Sequence, residues 1–407
     1  MARDLDRLFM VARSQTGQVG AEVTDLLRQW VNREVVSVRM EYRKEYGKLF
    51  EQRWRSLATD LSIARLTMSE SRGGFGWNKA GDAAGLARAA WEIGRADVSL
   101  GLLAAGTWIV HLLGGDTPCL EASPVSGGAE GAPKASFVLP GPGMSGESDP
   151  LFSGRAVRAR AVRTKTGYEL SGRLLRPLWA GAVADVHVIV CALDDEPCIA
   201  FVRAGAEGLA RGPALSTTGL NACTNADLTL ERVPVGSGDI LVGADKVRML
   251  FSWIHLLASG VCAGAAADFF DLLADWADSR TIKGGVPLKD NPLCASVLAE
   301  SAQEIALARI LVHDLADVVA SAGAPEEGSA ERAFVYACTI GRRILAGLIH
   351  ALNRGMELMG SAGYAKEWYV EKHWRDIKNV QSSLSGVGAG VPEAMDAARF
   401  FYGSSPR

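Results

Sequence analysis

The segment Glu357–Gly386, ELMGSAGYAKEWYVEKHWRDIKNVQSSLSG, concentrates the residue types and spacing that most suggest chemistry. It begins as a glycine-rich loop, continues with the imidazole of His373 close to the pair Arg375-Asp376, and ends at Gly386. A histidine can transfer a proton near neutral pH, and glycines let a backbone approach a ligand closely. These properties make the segment the most informative stretch of the chain.

The sequence does not support the other familiar catalytic sets. No Ser-His-Asp triad can be proposed, because none of the six histidines stands in a motif, and a metal site built from histidines and carboxylates is not indicated. Neither a P-loop nor a strand–GxGxxG–helix unit is present. The seven cysteines are odd in number and no pair has CxxC spacing, so neither a disulfide framework nor a cysteine metal site is predicted.

Composition indicates an ordinary soluble protein. The 407 residues are 48% hydrophobic and 22% charged, with a formal net charge of −3. There is no cluster of Lys and Arg, so a nucleic-acid surface is not expected. The first residues lack the apolar core of a signal peptide, and polar residues interrupt Met249–Phe270, the nearest candidate for a membrane span. We therefore expect a cytoplasmic protein.

The elements that must position these residues follow an α-β-α order. Periodic apolar residues predict helices before residue 114, short Val-, Ile- and Leu-rich runs predict strands, and long helices follow residue 243. On these grounds alone, a helical protein with an inserted β-barrel is the alternative. The predicted helices are Val23–Tyr46, Leu57–Leu66, Ala80–Leu103, Val247–Ala277, Cys294–Ala320 and Ser329–Met359, and the predicted strands are Ala156–Val162, Tyr168–Ser171, Val186–Cys191, Cys198–Arg203 and Leu228–Leu230.

Three segments in this order resemble motifs of the acyl-CoA dehydrogenase superfamily. They are Ser69–Gly76, with a paired-glycine turn, Thr218–Pro234, which ends on Val-Pro, and Gly360–Asp376. The resemblance covers nearly the whole chain. It implies an α+β fold with an N-terminal helical domain (1–128), a middle β-barrel (129–240) and a C-terminal four-helix bundle (241–407).

The resemblance implies an FAD cofactor and places residues around it. Trp179 stands where the family stacks an aromatic ring on the flavin, and Ala180 occupies the position of a hydroxyl near the flavin N5 atom. Ser148 lies in the loop Leu139–Asp149, which corresponds to the family's flavin loop, although its Thr and Glu are replaced here by Pro140 and Gly141.

The phosphate side of the cofactor has its own candidates. Arg280 corresponds to an arginine that reaches the FAD phosphates, and Gly360 and Gly363 would approach the cofactor of a neighbouring subunit. Each of these residues also has a structural interpretation. Trp179 could simply pack the barrel, Arg280 could complement a helix C-terminus, and the two glycines could form a C-capping turn.

The family's catalytic base is missing. Proton removal beside a thioester needs a carboxylate in a dry pocket, but the two positions that supply it correspond to Leu384 and Trp253. One interpretation is a base elsewhere, with His255, His373 or Glu367 as candidates. The others are a flavin monooxygenase that uses His373 near the flavin, and a catalytically inactive partner subunit of a mixed acyl-CoA dehydrogenase.

The resemblance therefore predicts an FAD-dependent oxidoreductase acting on an acyl thioester, bound to CoA or to a carrier protein. It also predicts association into a homotetramer or homodimer, or into a hetero-oligomer with a related subunit. Neither nucleic acid nor a membrane is expected as a partner.

Overall fold

A computed structural model describes residues 18–77, 82–115, 117–121, 132–142, 152, 154–282, 284–322 and 327–403. Its first part is helical. The helices are α1 (Gln18–Val31), which continues into a π-helical turn at Asn32–Val36, α2 (Arg39–Lys44), α3 (Tyr46–Thr59), α4 (Ala83–Ala96), α5 (Val98–Gly114) and the short α6 (Pro118–Glu121).

The single helix predicted over Ala80–Leu103 is wrong, because Asp97 divides it into α4 and α5. The Asp97 backbone is extended (φ −166°, ψ 130°), and its carboxylate accepts hydrogen bonds from the backbone N–H groups of Ser99 and Leu100. A carboxylate that caps a helix N-terminus satisfies donors that have no partner within the helix. Asp97 therefore starts a new helix where apolar periodicity alone predicts a continuous one.

The β-rich region follows. Its strands are β1 (Ala135–Val138), β2 (Gly141–Pro142), β3 (Arg155–Ala156), β4 (Ala159–Arg163), β5 (Gly167–Leu175), β6 (Val186–Leu193), β7 (Glu196–Arg203), β8 (Leu209–Arg211), β9 (Leu228–Gly236) and β10 (Ile240–Val242). Eight of them form one sheet in the order β10-β7-β6-β4-β5-β9-β8, with β1 parallel to the first half of β6. Strand β6 is buried along its whole length, because it has strands on both edges and helices nearby.

The predicted β-barrel is wrong in the part of the chain that the structure describes, because the sheet stays open. Its two edge strands, β8 and β10, have three residues each and are not paired with one another. A barrel requires the first and last strands to meet along a hydrogen-bonded ladder. The predicted domain limit at 128/129 lies outside the described residues, and the limit at 240/241 falls within β10 and stays a prediction.

Long helices form the C-terminal region. They are α7 (Ala244–Ser279), α8 (Pro292–Ser321), α9 (Ser329–Met359), α10 (Val370–Ser385) and α11 (Val387–Tyr402). The three long helices predicted from periodicity are confirmed within three residues at each end. Asn291 caps α8 through its side-chain oxygen, and Pro292 follows at the first helical position, as expected for a helix start.

Helix α7 lies at the centre of the molecule. It packs against α4, α5, α8, α9 and α10. At its crossing with α4, a Cβ atom on Gly264 would lie 2.0 Å from the carbonyl oxygen of Trp91, so only glycine allows the two backbones to come this close.

Two helical stretches, 244–279 and 329–364, are long and apolar enough to cross a membrane, but 94% and 61% of their apolar windows are buried inside the protein.

Candidate functional site

A cavity of about 270 Å³ lies between the sheet and helix α10. The turn after β5 provides Trp179, the loop before β9 provides Leu220 and Asn225, and α10 provides Asn379 and Ser383. This cavity joins two segments, around Trp179 and within Gly360–Gly386, that the sequence analysis singled out separately.

Trp179 is a buried wall of this cavity. Its ring is 1% exposed and meets the ring of Phe137 edge-on at a centroid distance of 5.9 Å. Its Nε1 atom has no hydrogen-bond partner among the described residues. A buried indole N–H without a partner is unusual, because Trp normally finds an acceptor when buried. The ring and its free donor therefore suit an aromatic ligand that carries acceptor atoms.

The turn that holds Trp179 is fixed by Asn225. Its side-chain oxygen accepts a hydrogen bond from the Gly181 backbone (3.1 Å), and its amide group donates one to the carbonyl of Pro177 (2.7 Å). Ala180, between them, has a left-handed backbone (φ 59°), and its N–H donates to the carbonyl of Cys223. The absence of a hydroxyl at residue 180 leaves the cavity without the donor that the resemblance would place there.

The pair Arg375-Asp376 holds the loop before β9 against α10. Asp376 accepts a hydrogen bond from the Leu220 backbone at 2.7 Å, and Arg375 donates to the carbonyl of Thr218 at 2.6 Å. A Cβ atom on Gly219 would lie 2.2 Å from the carbonyl oxygen of Arg375. The conspicuous Arg-Asp pair thus shapes one wall of the cavity, a role that its sequence pattern did not reveal.

A buried charge network lies behind this wall. The Lys372 ammonium group bridges the carboxylates of Asp97 (2.8 Å) and Asp376 (2.5 Å), and it lies over the ring of Tyr46. The Tyr46 hydroxyl lies 3.1 Å from the same Asp97 carboxylate. Burial works against the charged form of Lys372, but Asp376 and Asp97 outweigh it and hold its pKa well above the ordinary value. The network therefore links the N-terminal helices to α10.

His373, the first predicted catalytic residue, lies in a second buried ion pair. It lies in α10, which begins at Val370, and it is buried. Its Nε2 atom lies 3.0 Å from Asp268 on α7, and Arg39 contacts the same carboxylate at 2.6 Å. His373 does not line the cavity beside Trp179. In this structure it connects α10 to α7.

The charge on Asp268 should make stability depend on acidity. Burial disfavours the Asp268 carboxylate, yet Arg39 and His373 outweigh it and hold its pKa below the ordinary value. Because the folded pKa is depressed, this stabilisation is present above the unfolded value of about 3.9 and is lost as pH falls through the folded value. We expect Asp268→Asn to be less stable than the wild type at pH 7, by an amount that shrinks below about pH 4.

Urea denaturation of both proteins at several pH values measures this difference. Asp245→Asn is the control, because Asp245 is exposed at the first turn of α7 and pairs only with the neighbouring turn through Arg248. A stability difference for Asp268→Asn that does not change with pH would show that shape, and not charge, is responsible.

His255, the second predicted catalytic residue, belongs to a different site. It lies on α7, thirteen residues before Asp268, which corresponds to roughly 20 Å along a helix. It is buried, and burial together with the nearby Arg155 lowers its pKa to about 4. Its neighbours are Cys338 and Glu393, so the structure does not bring the two predicted catalytic histidines together.

The predicted cofactor residues are distributed over several places. Arg280 follows the end of α7, is exposed, and lies 5.7 Å from the ring centres of both Trp276 and Trp368. It has no ion-pair partner among the described residues. Gly360 ends α9 with φ 60°, as a C-capping glycine does, and is exposed. Gly363 is buried, and its Cβ would lie 2.6 Å from the carbonyl oxygen of Met356.

Ser148 lies outside the described residues, together with most of the loop predicted to contact the flavin.

A second cavity, of about 510 Å³, lies between residues 36–41 and residues 367–369. Trp368 lines it, and the Arg280 guanidinium group lies 5.7 Å from the centre of the Trp368 ring. No sequence pattern predicts this cavity, because it forms only where residues 36–41 meet α7 and the segment that precedes α10.

The two positions of the missing base are both buried and apolar. Leu384 is in the last turn of α10, next to the cavity residue Ser383. Trp253 is in the third turn of α7. The described residues that line the Trp179 cavity include no Asp, Glu or His. Burial strongly raises the pKa of the Cys223 thiol, which also lines it, so a thiolate is not available either.

Comparison with solved structures identifies the fold of the chain. Over nearly its whole length, this α+β fold matches a glutaryl-CoA dehydrogenase of Mycobacterium smegmatis, with a TM-score of 0.74, 19% identity and 99% of each chain covered. A second structure of a glutaryl-CoA dehydrogenase from that organism, in complex with FADH2, gives a TM-score of 0.70 at 17% identity, covering 99% of this chain and 97% of the other. The fold is therefore that of an acyl-CoA dehydrogenase.

Sequence comparison agrees. Residues 243–382 match the model of the C-terminal domain of acyl-CoA dehydrogenases. A curated relative, the cyclohex-1-ene-1-carbonyl-CoA dehydrogenase of Geobacter metallireducens, is 24% identical over 235 residues, which is 56% of this chain and 60% of the relative. The C-terminal region is therefore similar in sequence to acyl-CoA dehydrogenases, and the chain as a whole has their fold, in agreement with the predicted resemblance.

Proposed function

We propose that this chain is an FAD-dependent oxidoreductase that acts on an acyl thioester carried by CoA or by a carrier protein. The observation that carries the proposal is the cavity beside Trp179, which α10 closes within a fold shared along the whole chain with acyl-CoA dehydrogenases. The family match over α7 to α10 supports the same class of reaction.

The residues fit a flavin at two places. Trp179 offers a buried aromatic wall and an indole N–H without a partner, which suits the ring and the acceptor atoms of a flavin. Arg280 offers a guanidinium group with no carboxylate partner among the described residues, which suits a pyrophosphate. When bound, FAD would supply the hydride acceptor. The chain itself would have to bind the thioester, exclude water and provide a route for the proton that leaves the substrate.

Proton removal is where this chain departs from its relatives. Leu384 and Trp253 cannot accept a proton, and no acidic or imidazole side chain lines the described part of the cavity. This observation favours a second candidate function, an inactive partner subunit that associates with a competent relative. The monooxygenase alternative gains no support, because His373 is paired with Asp268 and does not line the cavity.

Association and location are part of the proposal. Helix α11 exposes large apolar side chains, with Val387 at 93%, Phe401 at 67% and Tyr402 at 83% exposure. Exposed apolar side chains on one helix support burial against another subunit, in a homotetramer, a homodimer or a hetero-oligomer. We propose that the protein works in the cytoplasm.

Flavin absorbance and anaerobic bleaching separate the two candidates. An enzyme should purify with FAD or take it up, and a panel of acyl-CoA thioesters that includes glutaryl-CoA and cyclohex-1-ene-1-carbonyl-CoA should bleach it. An oxidoreductase that lacks only its base should gain bleaching rate in Leu384→Glu but not in the uncharged control Leu384→Gln. A protein that takes up no FAD would overturn the enzyme proposal and leave the partner subunit.

A further inference from the structure

Three helices of the C-terminal region bring a histidine, a cysteine and a glutamate together in the core. They are His255 on α7, Cys338 on α9 and Glu393 on α11, and one ligand atom from each lies within 4.8 Å of the other two. Their exposures are 1%, 1% and 5%. The cluster lies apart from the Trp179 cavity, which none of the three residues lines.

Two of the polar atoms in this cluster have no hydrogen-bond partner among the described residues, the Nδ1 atom of His255 and the Oε2 atom of Glu393. Buried polar atoms in native proteins are rarely left unpaired, and each exception needs an explanation. Gly341, one turn after Cys338 on α9, makes room for the ring, since a Cβ atom there would lie 2.6 Å from that Nδ1 atom. The Nδ1 atom of His255 therefore faces α9, the helix that carries Cys338.

Charged side chains flank the cluster. Arg155 on β3 is buried and pairs with Asp396 of α11 at 2.5 Å, and its guanidinium group lies over the rings of Phe251 and Phe334. Arg399 also contacts Asp396 at 3.7 Å, so arginines already partner this carboxylate, whereas the Oε2 atom of Glu393 has no hydrogen-bond partner among the described residues. Metal binding requires the cysteine and the carboxylate to be deprotonated and the imidazole to be neutral.

We propose that His255, Cys338 and Glu393 form a binding site for a divalent transition-metal ion, and that zinc is the ion it takes. Imidazole nitrogen, thiolate sulfur and carboxylate oxygen are the three ligand types of protein zinc sites, whereas magnesium and calcium prefer oxygen alone. Ligand atoms around tetrahedral zinc lie roughly 3.4–3.6 Å apart, so the cluster closes by about 1 Å on binding. Three protein ligands leave a fourth position for water.

Cobalt titration of the untagged, chelator-treated wild type tests the proposal without any variant. We expect one Co²⁺ per chain and a thiolate-to-cobalt charge-transfer band in the near ultraviolet, both of which zinc displaces. Zinc measured by mass spectrometry in the purified protein should also approach one per chain. A titration that gives no charge-transfer band would overturn the proposal.

Two variants assign the ligands. Cys338→Ser and Glu393→Gln should each weaken cobalt binding by about 100-fold or more, since even loss of residues that only orient metal ligands costs 10–100-fold. The matched control is Cys262→Ser, another buried cysteine two turns from His255 on α7, which should bind cobalt as the wild type does. If Cys338→Ser retains wild-type affinity and the charge-transfer band, the proposed site is wrong. Circular dichroism of each variant verifies folding, and FAD uptake is scored separately, so that failure here does not bear on the oxidoreductase proposal.

Discussion

Replacing Lys372 by alanine is expected to lower the free energy of unfolding by about 3–5 kcal/mol. The ammonium group of Lys372 is the cation that both Asp97 and Asp376 contact inside the protein. Its removal leaves two buried carboxylates without their counter-charge, and the Leu220 backbone and the cap of α5 depend on those same carboxylates. Denaturant-induced unfolding, followed by circular dichroism, measures the loss.

Lys378→Ala is the matched control for this substitution. Lys378 lies on the same helix, but it is exposed, and among the described residues its side chain forms a hydrogen bond to Gln381 and no ion pair. Surface changes of this kind usually alter stability by less than about 0.5 kcal/mol. The double variant Lys372→Ala with Asp97→Asn should recover part of the loss, because one of the stranded charges is removed. If Lys372→Ala and Lys378→Ala cost the same, the network does not hold the N-terminal helices to α10.

Replacing Trp179 by alanine is expected to weaken FAD binding by about tenfold or more. Aromatic stacking contributes about 1–3 kcal/mol per contact, and about 1.4 kcal/mol corresponds to a factor of ten in affinity. Trp179 is the aromatic side chain among the described residues that line the cavity. Flavin absorbance of the purified protein, and titration of the apoprotein with FAD by fluorescence, measure the change.

Trp179→Phe separates stacking from packing and from the indole N–H group. It keeps an aromatic face against Phe137 but removes the unpartnered Nε1 donor, so its FAD affinity should lie between those of the wild type and Trp179→Ala. Trp179→Ala also leaves space in the core, so thermal unfolding should be recorded for all three proteins. If the wild type and a folded Trp179→Ala bind FAD with equal affinity, the flavin does not bind in this cavity.

Most of the helical architecture could be predicted from residue patterns. The apolar periodicity of Ser329–Met359 gave the bounds of α9, and the predicted helix Cys294–Ala320 lies within α8. The strands were found where Val, Ile and Leu are dense, although the sheet proved open. Trp179 was identified as a candidate because of its position in the family motif, and the structure places it at a cavity wall.

Several of the features that the sequence did not predict have a common physical origin. Asp97, Lys372 and Asp376 are charged residues that would ordinarily be assigned to the surface, and their burial depends on partners far away in the sequence. The same holds for His373, whose partner Asp268 is on another helix. Single-sequence patterns report which face of a helix is apolar, but not which distant charge makes a buried polar residue acceptable.

By itself, the sequence determined the order of helices and strands, the resemblance to acyl-CoA dehydrogenases, and the absence of a carboxylate at residues 253 and 384, because these depend on local periodicity and on residue identity. Only the tertiary structure decided that the Arg375-Asp376 pair shapes a cavity wall, that His373 and His255 belong to separate sites, and that His255 meets Cys338 and Glu393. Those outcomes depend on how α7, α9, α10 and α11 pack. Packing brings together residues that are 55 to 156 positions apart, a separation that no local pattern encodes.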